Sequence, residues 1–397
     1  MNTKIPNSVK QAFMIGAVCS ASYLGVYIAR NILGAVTPQM IELGVFTTES
    51  IGALSSIYFI TYAIGQLING IIGDRIKAKY MISLGLILSG VCNLIFSLTT
   101  PNVLAAYTAY GATGFFLSMI YAPMVRVIAE NTEATHATRC ILGLTFASFM
   151  GSPLAGVLAG VMHWEGAFAF SSTILLAMGT IYFLIFTLFE KNGIVRYNQI
   201  NDQQSTRGSV KVLIRHRIIK FSMISILTGV VRTTVVFWMP TYISQHLGFS
   251  TESSAFIFTV ATFAISLSAF ITVIIFEMLG RDMDKTILLG FLLSTICFIL
   301  VYFTRQPIIN IVCLVLAIMA SNVAASMLWN NYCPSLRETG MVSSATGYLD
   351  FLSYMAASVS SSLFANAVSE IGWSNLILIW FGLMLVGTLI SIPLKKR

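Results

Sequence analysis

Apolar runs of about twenty residues or more recur twelve times along this 397-residue chain, and the short breaks between them hold nearly all of its charge. Their limits are approximately 11–38, 50–72, 80–98, 103–128, 140–162, 167–189, 218–243, 252–279, 285–303, 307–331, 341–367 and 373–394. A helix needs about 20 mostly apolar residues to cross a bilayer, whereas a barrel strand needs only about 10. Charged residues make up 10% of the chain, against about 25% in a soluble domain. That is too little polar surface to cover a water-soluble globule. The expected fold class is therefore an all-α membrane protein with twelve transmembrane helices.

The charges also orient the chain. One set of breaks carries the Lys and Arg residues, from Lys4 and Lys10 through Arg75, Lys77, Lys79 and Arg139 to Lys395, Lys396 and Arg397. The opposite set holds only Arg305, among several acids such as Glu42, Glu49 and Glu165. The positive-inside rule then places both termini in the cytoplasm and the protein in the cell membrane, with the lipid bilayer as its first partner. The formal net charge of +8 is thereby accounted for as topology signals. No compact basic domain is left to bind nucleic acid. The first apolar run is too long for the core of a cleavable leader.

Arg30 and Arg232 lie well inside apolar runs, each followed eight residues later by a proline, Pro38 and Pro240. A guanidinium keeps its proton, so each carries a permanent charge to membrane depth, where ionisable groups mark function. Other features repeat as well. GIIGDRIKAK after the second run is echoed by FEMLGRDMDK after the eighth, and Arg139 and Arg337 stand at matching places. The expected organisation is two pseudo-symmetric six-helix bundles, 1–190 and 218–397, joined by a cytoplasmic linker at 191–217. An anion site at the midplane between the halves follows from parallel repeats of this kind.

The Gly70, Asp74, Arg75 signature with Lys77 and Lys79 after it resembles the loop 2–3 motif of the major facilitator superfamily. Within that superfamily the chain resembles the organophosphate:phosphate antiporters. The likeness is carried by YLGVYIARNILGAVTPQM in span one, MIYAPMVR in span four, VVRTTVVFWMPTYI in span seven and ATGYLDFLSYMAASVSSSL in span eleven. It implies that Arg30 and Arg232 bind a substrate phosphate, that Trp238, which with Pro240 and Tyr242 matches the span seven pattern, faces the substrate as well, and that the protein is monomeric. It also implies that Gly70, Asp74, Arg75, Arg139, Arg281 and Arg337 belong to charge clusters that form and break as the bundles rock. Two positions depart from the family. Gln66 stands where a lysine is common, and Phe149 or Met150 stands where the glycerol-phosphate carrier has a histidine. Both departures leave room for a carboxylate or another singly charged anion.

The remaining candidates come from the residues themselves. Tyr27 lies three before Arg30, on the same helical face. Gln66 is a polar group in an apolar run. Asp350 is a mid-span acid, either a counter-ion to one of the arginines or a proton acceptor that couples transport to a gradient. The expected function is a secondary active transporter moving a small organic anion, a phosphate ester or carboxylate, by alternating access, with antiport or proton coupling. The alternative is a transporter-like membrane sensor that binds an anion and signals to a partner. An enzyme is not expected: no nucleophile–base pair stands at membrane depth, and no cysteine or histidine spacing suggests a metal or cofactor.

Overall fold

The computed structural model describes residues 9–73, 76–100, 102–197, 210–336 and 342–392. Helices α1 (Val9–Glu42), α2 (Thr48–Gly73), α3 (Ala78–Thr99), α4 (Val103–Leu117), α5 (Tyr121–Asn131), α6 (Ala134–Val161) and α7 (Trp164–Lys191) come first. The short α8 (Val210–Arg215) precedes α9 (Ile218–Gly229), a π-helical segment (Val230–Val235) and α10 (Val236–Gln245). Then follow α11 (Thr251–Ser266), α12 (Ser268–Met278), α13 (Met283–Phe303), α14 (Pro307–Met327), a second π-helical segment (Leu328–Tyr332), α15 (Cys333–Ser335) and α16 (Val342–Ser391).

Among the described residues, eleven helical stretches are long and apolar enough to span a membrane, not twelve. The last of them runs from Ala345 to Ser391, and Gly372 inside it has φ 76° and ψ 168°. That left-handed, non-helical turn is open to glycine and costly for other residues. It divides the stretch into two pieces, each able to cross, which restores the twelve expected spans. Three expected spans are built from two α-helices each: the fourth from α4 and α5, the seventh from α9 and α10 with the π-helical segment between them, and the eighth from α11 and α12.

Helix starts follow local chemistry. Asn102, Ser250, Asp282 and Gln306 each accept a bond from a first-turn amide with their side-chain oxygens, at 3.2, 3.2, 3.1 and 3.0 Å. These bonds satisfy donors that the first turn leaves orphaned.

The chain forms two compact units, one of Met1–Val45 and Ile57–Gln204, the other of Phe46–Ser56 and Ser205–Arg397. The first part of α2 goes with the second unit, and residues 198–209 of the expected linker lie outside the described residues. The core of the first unit packs Phe96 against Phe168 at 4.7 Å and Tyr110 against Phe96 at 5.2 Å. Asn93 ties α3 to α7 through Ser171 and Ser172, at 2.9 and 3.1 Å. In lipid there is little hydrophobic drive between helices, so such polar bonds and close glycine contacts carry association. The second unit is centred on Trp380, 5.9 Å from both Phe298 and Phe364. There Tyr242 donates to Asn310 at 2.6 Å, and Asn310 in turn donates to the carbonyls of Val301 and Thr304.

Candidate functional site

In the first unit, Arg30 is half-buried on α1. Twelve residues separate it from the end of that helix at Glu42, about 18 Å at the α-helical rise. That is further than an arginine side chain reaches, so the guanidinium stays short of the end of its helix. Its guanidinium carbon lies over two tyrosine rings, 5.3 Å from the centroid of Tyr27 and 5.1 Å from that of Tyr62. Tyr27 packs edge-on against Tyr23 at 5.0 Å, and Tyr23 stacks on Tyr121 at 5.4 Å. The π faces attract the cation, and the phenol oxygens leave hydrogen-bonding groups beside it. Gln66 is half-buried on α2, one helical turn beyond Tyr62. Beside the aromatic wall α6 packs directly on the α1 backbone: a Cβ at Gly151 would lie only 2.7 Å from the carbonyl carbon of Tyr27.

In the second unit, Arg232 sits within the π-helical segment Val230–Val235, also half-buried. Its guanidinium carbon lies 6.0 Å from the ring centroid of Trp329, which belongs to the other π-helical segment. Single π turns are uncommon and gather at functional sites, because they displace one residue from the regular helical face. Asp350 is half-buried on α16, within electrostatic reach of Cys333. Trp238, expected to face a ligand, is fully buried, packed edge-on against Phe237 at 5.3 Å. Its indole nitrogen has no acceptor among the described residues. In this conformation Trp238 presents no surface to a ligand.

The charged clusters at the helix ends are only partly those expected. Asp74, Arg75 and Arg337 lie outside the described residues, and Gly70 is placed only as backbone of α2. Arg139 is exposed. Arg281 has φ 58° and reaches back to Glu277 at 3.4 Å. The stronger clusters involve other residues. Glu190 receives Lys77 at 2.5 Å and Lys79 as well. Asp284 receives Arg217 at 2.7 Å and Lys220 at 3.0 Å. The Glu190 carboxylate holds the Lys77 ammonium above its ordinary range, first through the hydrogen bond and then through charge. Arg217 is likewise held up by Asp284.

The structure places Tyr27 beside Arg30, as their three-residue spacing implies, and adds two aromatic neighbours that the sequence reading did not name, Tyr62 beside Arg30 and Trp329 beside Arg232. Tyr62 was legible in principle, four residues before Gln66 on one helical face. Trp329 immediately precedes Asn330 and Asn331, in an otherwise apolar run.

Comparison with known proteins gives the chain its context. The family model of the Major Facilitator Superfamily matches residues 19–361. The membrane sensor protein UhpC of Salmonella typhimurium (strain LT2) is 26% identical over 246 residues, 57% of this chain and 55% of that protein. The chain therefore spans about half the length of that relative. The phosphoglycerate transporter protein of the same organism is 24% identical over a 424-residue alignment, 93% of this chain and 87% of that protein. Among solved structures, a bacterial homolog of the human lysosomal transporter Spinster, inward-facing and unoccupied, superposes with TM-score 0.75 at 11% identity, over 97% of each chain. At that identity the likeness concerns the fold alone.

Proposed function

The chain belongs to the Major Facilitator Superfamily, and we propose that it carries a small organic anion, a phosphate ester, across the membrane by alternating access. The observation that supports this most directly is the pair of permanently charged arginines, each held deep in its span against aromatic rings: Arg30 over Tyr27 and Tyr62, Arg232 over Trp329. A guanidinium presents a planar fork of donors that fits phosphate oxygens in pairs. The match to a phosphoglycerate transporter over 93% of the chain points to the same chemical class. Anion binding neutralises buried cationic charge, whereas the empty carrier retains it within the membrane. A carrier that turns over slowly when empty performs exchange. Asp350 offers the alternative coupling, by taking up a proton in place of a second substrate.

The test is uptake of labelled glycerol 3-phosphate, 3-phosphoglycerate and a small carboxylate into proteoliposomes, with phosphate or buffer inside. Wild type is expected to favour a phosphate ester and to be stimulated by internal phosphate, while Arg30→Gln and Arg232→Gln lose uptake. Uptake of a carboxylate alone, or full uptake by both variants, overturns the reading.

A second reading rests on the match to a membrane sensor protein. A sensor would bind the same anions without moving them. Saturable binding to the purified protein together with no flux in proteoliposomes would establish it.

A further inference from the structure

We propose that Thr234 is a positioning residue for Arg232, holding the π-helical turn in the one register that keeps this arginine off the neighbouring helix. The inference rests on the reading of Arg232 as an anion-binding residue.

The helix that carries Arg232 packs along α16 through three contacts. Ser225 donates to the carbonyl of Leu349 at 2.6 Å. Gly229 follows four residues later, where a Cβ would come within 2.9 Å of the Ser353 backbone. Thr234 follows five residues after that, donating to the carbonyl of Ala357 at 3.2 Å and sharing a 2.9 Å bond with the hydroxyl of Ser360. The partners on α16 advance by ordinary helical steps, from 349 to 353, 357 and 360. The steps on the Arg232 helix do not.

Each residue turns an α-helix by about 100°. A four-residue step therefore returns to nearly the same face, and a five-residue step overshoots by roughly 140°. In an unbroken α-helix the residues following Gly229 along this seam would be Arg232 and Thr233, three and four positions on. Arg232 would then be turned toward α16. The π turn inserts one residue into the repeat, so that Thr234 takes the place at the seam. Arg232 and Thr233 are carried off it, and both are half-buried where their neighbours Val231 and Thr234 are fully buried. On the displaced side, Arg232 meets Trp329.

Such a turn has poorer hydrogen bonding than an α-helix and needs outside contacts to hold it. Thr234 supplies them. Other buried threonines of this unit, such as Thr228, Thr262, Thr272 and Thr286, bond back to the carbonyl four residues earlier in the chain. Thr234 instead spends its hydroxyl across the seam. The bond is made only in the π register, so removing it removes the preference for that register.

The experiment compares Thr234→Val, which keeps the shape and loses the hydroxyl, with Thr234→Ser, which keeps the hydroxyl. Equilibrium binding of glycerol 3-phosphate and of inorganic phosphate is measured for both, for wild type and for Arg232→Gln. In parallel, a cysteine replaces Thr233 in a protein lacking its six native cysteines, with and without Thr234→Val, and its maleimide labelling rate is followed. Thr234→Val is expected to weaken binding about tenfold, the scale of one buried hydrogen bond, and to slow labelling as position 233 turns toward α16. Thr234→Ser is expected to stay within about twofold of wild type. Wild-type binding and labelling in the Thr234→Val background, while Arg232→Gln abolishes binding, overturns the positioning role and leaves the anion site standing. Equal loss in Thr234→Val and Thr234→Ser also overturns it, because the hydroxyl is then not what matters. Wild-type binding by Arg232→Gln overturns the site itself and this role with it.

Discussion

Arg217 clamps Asp284 with both terminal nitrogens, Nη1 to Oδ2 at 2.9 Å and Nη2 to Oδ1 at 2.7 Å. Lys220 adds a third contact to the same carboxylate at 3.0 Å. The bond joins the residue just before α9 to the first turn of α13. Asp284 thus fixes the start of the helix that continues into the π turn and Arg232. Bidentate geometry and a second cation raise such a pair above an isolated surface contact. Arg217 is 48% exposed at its side chain, however, so solvent screens part of the gain.

Asp284→Asn is therefore expected to lower stability by about 1 kcal/mol, read as a drop in the thermal unfolding midpoint in detergent. Arg217→Lys keeps the charge but not the two-point geometry, and should cost less than Asp284→Asn. Equal midpoints for wild type and Asp284→Asn would show that the clamp contributes nothing.

A second cluster has a defined pH dependence. Lys77 and Lys79 both bond Glu190, tying the start of α3 to the end of α7. The Glu190 hydrogen bond raises Lys77 above its ordinary value of 10.5. A cation stabilised in the folded state contributes fully below its unfolded pKa, and the contribution fades as pH climbs through the raised folded value. Stability should accordingly hold level from neutral pH to about 10 and fall above it. In Glu190→Gln the alkaline fall should be shallower and the neutral plateau lower. Unfolding midpoints measured from pH 7 to 11 for the two proteins check the sign.

The aromatic rings around the arginines separate two contributions. If the ring face of Tyr62 is what holds Arg30 in place, Tyr62→Phe keeps that contact and Tyr62→Leu removes it. A partly buried cation–π contact is worth about 1 kcal/mol, near a fivefold change in Kd. Tyr62→Leu is expected to weaken phosphate binding by about that factor, and Tyr62→Phe to change it little. The same pattern is expected in the second unit, with Trp329→Leu weak and Trp329→Phe intermediate. Loss in Tyr62→Phe equal to that in Tyr62→Leu would transfer the role to the hydroxyl. Calorimetric titration with inorganic phosphate measures each variant.

The spans and the two arginines were legible because they depend on composition summed over about twenty residues, and on a charge that stands out against it. Tyr27 was legible because a three-residue step keeps a helical face. Trp329 and the placement of Arg232 were not, because both depend on a π turn. One extra residue in the hydrogen-bond frame leaves hydropathy unchanged and re-aims every side chain around it. Trp238 differs in another way. It was reached through family likeness, although six residues past Arg232 it lies about 240° round a regular helix. It is fully buried instead. The twelfth span was legible as two apolar runs, and the turn between them required Gly372 in a left-handed conformation. The glycine contacts that press helices together were visible only as glycines in apolar runs, with nothing to say which of them meets backbone.

Gly151 and Gly382 make that last distinction testable. Both lie within long helices, α6 and α16. A Cβ at Gly151 would come within 2.7 Å of the Tyr27 carbonyl carbon and 2.9 Å of its oxygen, whereas a Cβ at Gly382 meets nothing within 4 Å. Backbone cannot rotate aside as a side chain does, so Gly151→Ala must push α6 from α1. Overpacking of this kind costs about 1–3 kcal/mol. At Gly382 the helical preference for alanine over glycine acts unopposed, and Gly382→Ala should stabilise by about 0.5–1 kcal/mol. Only the first substitution reaches the site, because Tyr27 shares α1 with Arg30 and lies against its guanidinium. Gly151→Ala should therefore lower both the unfolding midpoint and phosphate affinity, and Gly382→Ala should raise the first and leave the second alone. Undiminished phosphate affinity in a destabilised Gly151→Ala protein would separate the α1–α6 contact from the placement of Tyr27.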